Sequence, residues 1–249
     1  MPTVAFTDGE FSPVGEMTVG IAAHALHYGT SVFEGLRAYW NADAEEFYIL
    51  CGMEHYARLH ASARMYGKTL PYSVEDLCRI SADLLVHNEA REDVHIRPLL
   101  YVGTQGSGLW RSGLEESFVI FHVPMSNLYD DEGGQDLPAG ITRASVIELV
   151  TSELGMQVVE RPVNRGESCC ADEVFLWGTA AEVTPVIAVD NRPAAEGRVG
   201  AVTKAVRDLY ADVVRGRNEA RMSWCHPVYR REEREPIGAF AAPMAEPVS

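Results

Sequence analysis

The chain has 249 residues, 47% of them hydrophobic, which is enough apolar material for one large or two small domains with a sizeable core. A formal net charge of -15 argues against a nucleic-acid partner, because phosphate backbones are held by clustered Lys and Arg. Five cysteines show no metal-ligand spacing, so no metal site is expected; reduced thiols point to a cytoplasmic location, and no run of about 18 apolar residues indicates a membrane span.

In chain order, the apolar run Phe47-Tyr48-Ile49-Leu50 reads as a strand. Glu54 to Tyr66 reads as a helix, with Leu59, Ala63 and Tyr66 on one face and Gly67 as its stop. A second helix starts at Ser73, with Asp76 three residues on, carries Val74, Leu77, Leu84 and Leu85 at helical spacing, and ends at Asn88. Val94 to Val102 and Ser117 to Val123 read as buried strands, and Met125 to Asp136 as a polar, turn-rich connector. Beyond it a helix is predicted from Thr142 to Leu154, closed by Gly155. Strands follow at Gln157 to Val163, Glu173 to Trp177 and Val186 to Val189, with a helical turn near Arg165 to Ala171 and a last amphipathic helix from Thr203 to Arg215. From Arg230 onward the charged and Ala/Pro-rich residues read as a solvated tail.

One run stands out: His24-Ala25-Leu26-His27-Tyr28-Gly29-Thr30-Ser31-Val32-Phe33-Glu34-Gly35-Leu36-Arg37-Ala38-Tyr39. It resembles the opening signature of branched-chain aminotransferases of the class IV, pyridoxal-phosphate-dependent fold. Further blocks follow in family order: His55-x-x-Arg58-Leu59, Ile96-Arg97-Pro98-Leu99, Gly140-Ile141-Thr142-Arg143, Ala171-Asp172-Glu173-Val174-Phe175 and Gly178-Thr179-Ala180-Ala181-Glu182-Val183-Thr184-Pro185. The resemblance implies an α+β class, a class IV aminotransferase-like two-domain fold with an intact N-terminal α/β domain and a truncated C-terminal barrel-like domain. Residues 1–124 would form the small domain, 125–137 a connector replacing an excised block, 138–229 the remnant of the large domain and 230–249 a disordered tail.

In the family so resembled, the interval between Pro124 and Leu137 carries the lysine that forms the Schiff base. Only two lysines occur in this chain, Lys68 and Lys204, and neither sits at that place. The phosphate-binding parts match better. The resemblance assigns Arg58, Ile141, Thr142, Thr179 and Ala180 to cofactor phosphate, and a helix opening after Gly140 offers backbone amides suited to an anion. Tyr28, Phe33, Gly35, Arg37 and Arg97 match positions that line the substrate pocket or bind its carboxylate. The family's usual aromatic is His95 here, its methionine Ser107 and its tryptophan Met125, which makes the pocket smaller and more polar. Taken singly, Arg58 also reads as a surface arginine, Thr142 as an ordinary cap, and Tyr28 and Phe33 as core aromatics.

Catalytic candidates are His27, His95 and Tyr28, since a histidine acts as acid or base near neutral pH. Cys169 and Cys170 form another candidate pair. On these grounds no cofactor is required as a Schiff base, with pyridoxal phosphate or another phosphate-bearing ligand held non-covalently. The pocket would serve lysine-free cyclisation, isomerisation or elimination on a small acidic metabolite. The alternative is a non-catalytic relative that binds an anion or pyridoxal phosphate, or pairs with a full-length aminotransferase. A small carboxylate-bearing molecule is the expected ligand. A homodimer or a complex with a related aminotransferase is the expected assembly, because a barrel that loses strands exposes edges and apolar surface.

Overall fold

A computed structural model describes residues 4–103, 115–125, 140–179, 181–189, 192–194 and 197–229. The chain divides into two units, Met1–Asp130 together with Ser223–Ser249, and Asp131–Met222.

The first unit opens with β1 (Val4–Thr7) and β2 (Glu10–Pro13), then α1 (His24–Tyr28), β3 (Ser31–Phe33), β4 (Leu36–Asn41) and β5 (Glu46–Leu50). It continues through α2 (Gly52–Met65), α3 (Val74–His87), β6 (Val94–Val102) and β7 (Glu116–Pro124). All strand pairs are antiparallel, in the order β5-β4-β6-β7-β1-β2. Alternation along β6 sends Val94, Ile96 and Leu100 into the core with Leu59 and Ala63 of α2 and Leu77, Leu84 and Leu85 of α3. The second of these helices begins in a reciprocal capping box between Ser73 and Asp76, as its sequence predicts. Gly67, just past α2, has φ of +67°, the left-handed conformation expected of its stop.

β6 carries two strands on one edge. β3 pairs with its far half, Val32 opposite Leu100, and β4 with its near half, Leu36 opposite Ile96. Between them Glu34 and Gly35 keep the same register, with Glu34 N–H bonded to the Pro98 carbonyl at 3.1 Å, but regular strand is interrupted because Pro98 has no N–H to return the bond. Glu34, at this interruption, is where Arg58 and His55 converge.

The second unit holds α4 (Ile141–Ser152), α5 (Arg165–Cys170), the hairpin β8 (Phe175–Gly178) and β9 (Glu182–Pro185), the short pair β10 (Ala188–Val189) and β11 (Arg192–Pro193), and α6 (Ala201–Val214). α4 packs on α6 and β8, and α6 on β9, burying Val146, Leu149, Val183, Val206 and Val213. Glu173 caps α6: its carboxylate accepts from Val202 N–H at 3.0 Å, Thr203 N–H at 2.7 Å and Thr203 Oγ1 at 2.7 Å. Gly200 makes this possible, since a Cβ there would lie 1.9 Å from the Glu173 Cδ.

Three expectations are corrected. Gln157 to Val163 is not a strand; it runs exposed, with no ladder partner among the described residues. Regular strand in the stretch expected from Val186 to Val189 is confined to Ala188–Val189, while Glu182–Pro185 pairs with β8. The second domain does not run to residue 229, because β12 (Cys225–Pro227) pairs with β5 and completes the eight-stranded sheet of the first unit. The expected tail and nearly all of the connector lie outside the described residues.

Candidate functional site

In the first unit the break between β3 and β4 assembles a cluster around Glu34. Its carboxylate, only 5% exposed, accepts from Arg58 Nε at 2.6 Å and Nη2 at 2.7 Å, and lies 3.0 Å from His55 Nδ1. His55 and Arg58 are three residues apart on α2, so one helix face brings both to the same acid. Burial alone would raise the Glu34 carboxyl, but the hydrogen bonds from Arg58 and then His55 outweigh it and hold it near 2. This acid was not among the predicted site residues. The signal available was the Phe33-Glu34-Gly35 stretch followed by His55-x-x-Arg58, which gives the types but not the pairing.

Next to this acid sit Arg37 and His95, directly opposite one another on β4 and β6. Both are buried, and Gly35 is what lets the imidazole approach, since a Cβ at that position would be 2.8 Å from His95 Nε2. Burial, then the charges of Arg97 and Arg37, push His95 down to about 4, so the imidazole is neutral at physiological pH. Arg97 lies with its guanidinium 4.5 Å from the centre of the Phe33 ring. Thus Phe33, Gly35, Arg37, His95 and Arg97 do come together. Of the other two catalytic candidates, His27 is exposed with Nε2 at 2.9 Å from the Ile21 carbonyl oxygen, and Tyr28 is 38% exposed, with the His24 ring centred 4.5 Å from its own.

The second unit brings together two of the predicted phosphate residues. Thr142, in the first turn of α4, is buried, and its hydroxyl lies 3.4 Å from that of Thr179 at the tip of the β8–β9 hairpin. Ile141 is the first residue of α4, and no side chain caps that helix at Gly140. The contrast with α6 is direct, since Glu173 occupies the start of that helix. Ala180, Ser107 and the rest of Gly106-Ser107-Gly108-Leu109 lie outside the described residues, as does the side chain of Cys169.

Both lysines are engaged elsewhere. Lys68, 8% exposed, donates from Nζ to Glu116 at 2.7 Å, and Lys204 on α6 donates to Asp208 one turn on at 2.9 Å.

The amino-transferase class IV family profile matches residues 31–138 and 134–189. This chain belongs to the class IV aminotransferase family. A probable branched-chain-amino-acid aminotransferase of Aquifex aeolicus (strain VF5) is 33% identical over 300 aligned positions that take in 90% of this chain and 96% of the relative. Since 90% of 249 residues is about 224, about 76 of those 300 positions have no residue here. Among solved structures, the branched-chain aminotransferase of Thermoproteus uzoniensis with norvaline gives a TM-score of 0.80 at 26% identity, covering 91% of this chain and 99% of that one. The branched-chain amino acid aminotransferase of Thermobaculum terrenum in its PLP-form also gives 0.80, at 25% identity, covering 91% and 98%. That PLP-form overturns the expectation of a pocket needing no such cofactor: the class IV fold seen here is one that holds pyridoxal phosphate in the Thermobaculum protein. For the membrane, no helix among the described residues is long and apolar enough to cross one.

Proposed function

We propose that this chain is a pyridoxal-phosphate protein of the aminotransferase kind that takes a small carboxylate-bearing amino or keto acid. The observation that carries the reading is the pair of hydroxyls of Thr142 and Thr179 beside an α-helix start without a side-chain cap. The donor set suits a phosphate: two hydroxyl donors, and first-turn amides that lack intrahelical partners. Both lysines of the chain, Lys68 and Lys204, are ion-paired. When bound, pyridoxal phosphate supplies an electron sink for charge that develops at the substrate α-carbon. The chain's own residues bind and orient. Within the second unit Thr142, Thr179 and the Ile141 amide suit a phosphate; within the first, taken by itself, Arg37 and Arg97 offer guanidinium groups to a carboxylate, and neutral His95 presents an imidazole that can accept or donate without adding charge.

The test is a titration with pyridoxal 5'-phosphate, read by cofactor absorbance and by the rise in melting temperature. Saturable binding is expected, with Thr142→Ala and Thr179→Ala each weakening it about tenfold, the loss of one charge-assisted hydrogen bond. Absence of saturable binding, or unchanged affinity in both variants, overturns the reading. The free thiols Cys51, Cys78, Cys170 and Cys225 support a reducing compartment such as the cytoplasm.

A further inference from the structure

We infer that His95 takes up a proton when a carboxylate binds beside Arg37 and Arg97 in the first unit, so that this one imidazole ties the preference of that face for an anion to pH. The inference rests on the reading of Arg37 and Arg97 as carboxylate partners and adds to it a residue that tunes their affinity.

The ladder defines the face. Arg37 of β4 lies directly opposite His95 of β6, and strand alternation puts Arg97 and Gly35 on the same side. Gly35 shows the same placement, since a Cβ there would lie 2.8 Å from His95 Nε2 and 3.4 Å from its Cε1. The other side of the sheet carries Leu36 and Ile96, which belong to the core with Leu59 of α2 and Leu77 of α3. Two guanidinium groups and an imidazole therefore share one patch of sheet, with the Phe33 ring stacked against Arg97.

What acts on that imidazole is positive charge. His95 is 6% exposed yet makes no hydrogen bond among the described residues, and Arg97 has neither a hydrogen bond nor an ion pair among them. The acids nearest in the chain are engaged elsewhere: Glu34 with Arg58 and His55, and Asp93 with the Trp40 amide at 2.8 Å. Of the other elements on β6, α1 brings His24, bonded to Thr30 Oγ1, with His27 and Tyr28, and β7 sets uncharged Val123 opposite His95. Burial first, then the charges of Arg97, Arg37 and His55, hold His95 down at about 4. A carboxylate bonded to the two guanidinium groups offsets their repulsion and sets a negative charge beside the ring, and both changes favour the imidazolium. Proton uptake and anion binding then strengthen one another, so affinity rises as pH falls from the bound value of His95 towards its free value of about 4.

The experiment uses the full 249-residue chain without pyridoxal phosphate. The probe is 4-methyl-2-oxopentanoate, whose carboxyl stays ionised throughout. Proton NMR follows the histidine rings between about pH 5 and 8, and calorimetry in two buffers of different ionisation heat gives affinity and proton uptake at about pH 5.5 and 7.5. The His95 signal, assigned by its loss in His95→Phe, is expected to titrate about two pH units higher with saturating probe than without it. Affinity should then be about fourfold tighter at the lower pH, with most of one proton taken up per probe bound there. His95→Phe and His95→Asn, each checked for an intact melting transition, should bind with an affinity that is flat over this range and with no uptake. A His95 signal that the probe does not move, or the full pH dependence persisting in either variant, overturns the inference and leaves the carboxylate reading standing. Absence of binding at both pH values overturns the two together. Cofactor binding, read on Thr142 and Thr179, is a separate measurement.

Discussion

Glu34 shows how one buried carboxylate organises a region rich in positive charge. Three nitrogens converge on it within hydrogen-bonding distance, two from Arg58 and one from His55. Glu34→Gln keeps the shape but removes the charge, leaving His55 and Arg58 with a neutral acceptor, and is expected to lower stability by about 1–3 kcal/mol in urea melts. The pH dependence has two parts. His95 and His122 both stand at about 4 in the folded chain, against 6.5 ordinarily, because burial disfavours their charged forms. The unfolded chain therefore takes up protons below pH 6.5 that the folded chain refuses, so stability falls as pH drops from 6.5 to 4. The contribution of Glu34 is present above pH 4.5 and is lost as pH falls towards its folded value of about 2. Urea melts at about pH 7, 5.5 and 4 should resolve the first part. His122, 5% exposed with both ring nitrogens lacking a hydrogen-bond partner among the described residues, gives an internal control. His122→Leu should raise stability at pH 7 by about 1 kcal/mol and shrink the loss between about pH 6.5 and 4; an unchanged pH profile would show that burial of this imidazole is not what costs stability in acid.

At the scale of elements, local chemistry was legible wherever the deciding interaction is local. The Ser73 and Asp76 pair foretold the start of α3, Gly67 and Gly155 the ends of α2 and α4, and the β-branched and aromatic residues of 94–102 and 116–124 the two long strands. Legibility failed where a partner far along the chain decides. Gln157 to Val163 has the composition of a strand and none of its pairing, while Cys225 to Pro227 is short and ordinary in sequence yet pairs with β5 across the whole chain. The site divides in the same way: Thr142 and Thr179 were readable because the motifs that hold them were intact, whereas the grip of Glu34 on Arg58 spans 24 positions and has no local signature. One capping interaction makes a sharp test. Gly200→Ala drives a Cβ into the Glu173 carboxylate, which must swing away and release the amides of Val202 and Thr203. The expected cost is about 1 kcal/mol, with faster hydrogen exchange confined to the first turn of α6. Unchanged exchange there would mean that Glu173 is not the cap that matters.

For the whole molecule, the question is what a class IV aminotransferase chain does with no lysine to spare. Lys68 is nearly buried and bonded to Glu116, so an adduct there requires breaking an ion pair and exposing an amine held under the first unit's surface. Lys204 lies exposed on α6, paired with Asp208 one turn away. An adduct on either amine therefore requires its ion pair to open. The expectation is that the isolated chain, saturated with pyridoxal phosphate, transfers no amino group from leucine, isoleucine or valine to 2-oxoglutarate. Borohydride reduction followed by peptide mass spectrometry should find no pyridoxyl group on either lysine at stoichiometric cofactor. Turnover that disappears in Lys68→Arg or Lys204→Arg would overturn this, since both substitutions keep the charge and remove only the nucleophile. Turnover that appears only when a second polypeptide is added would instead place the amine outside this chain.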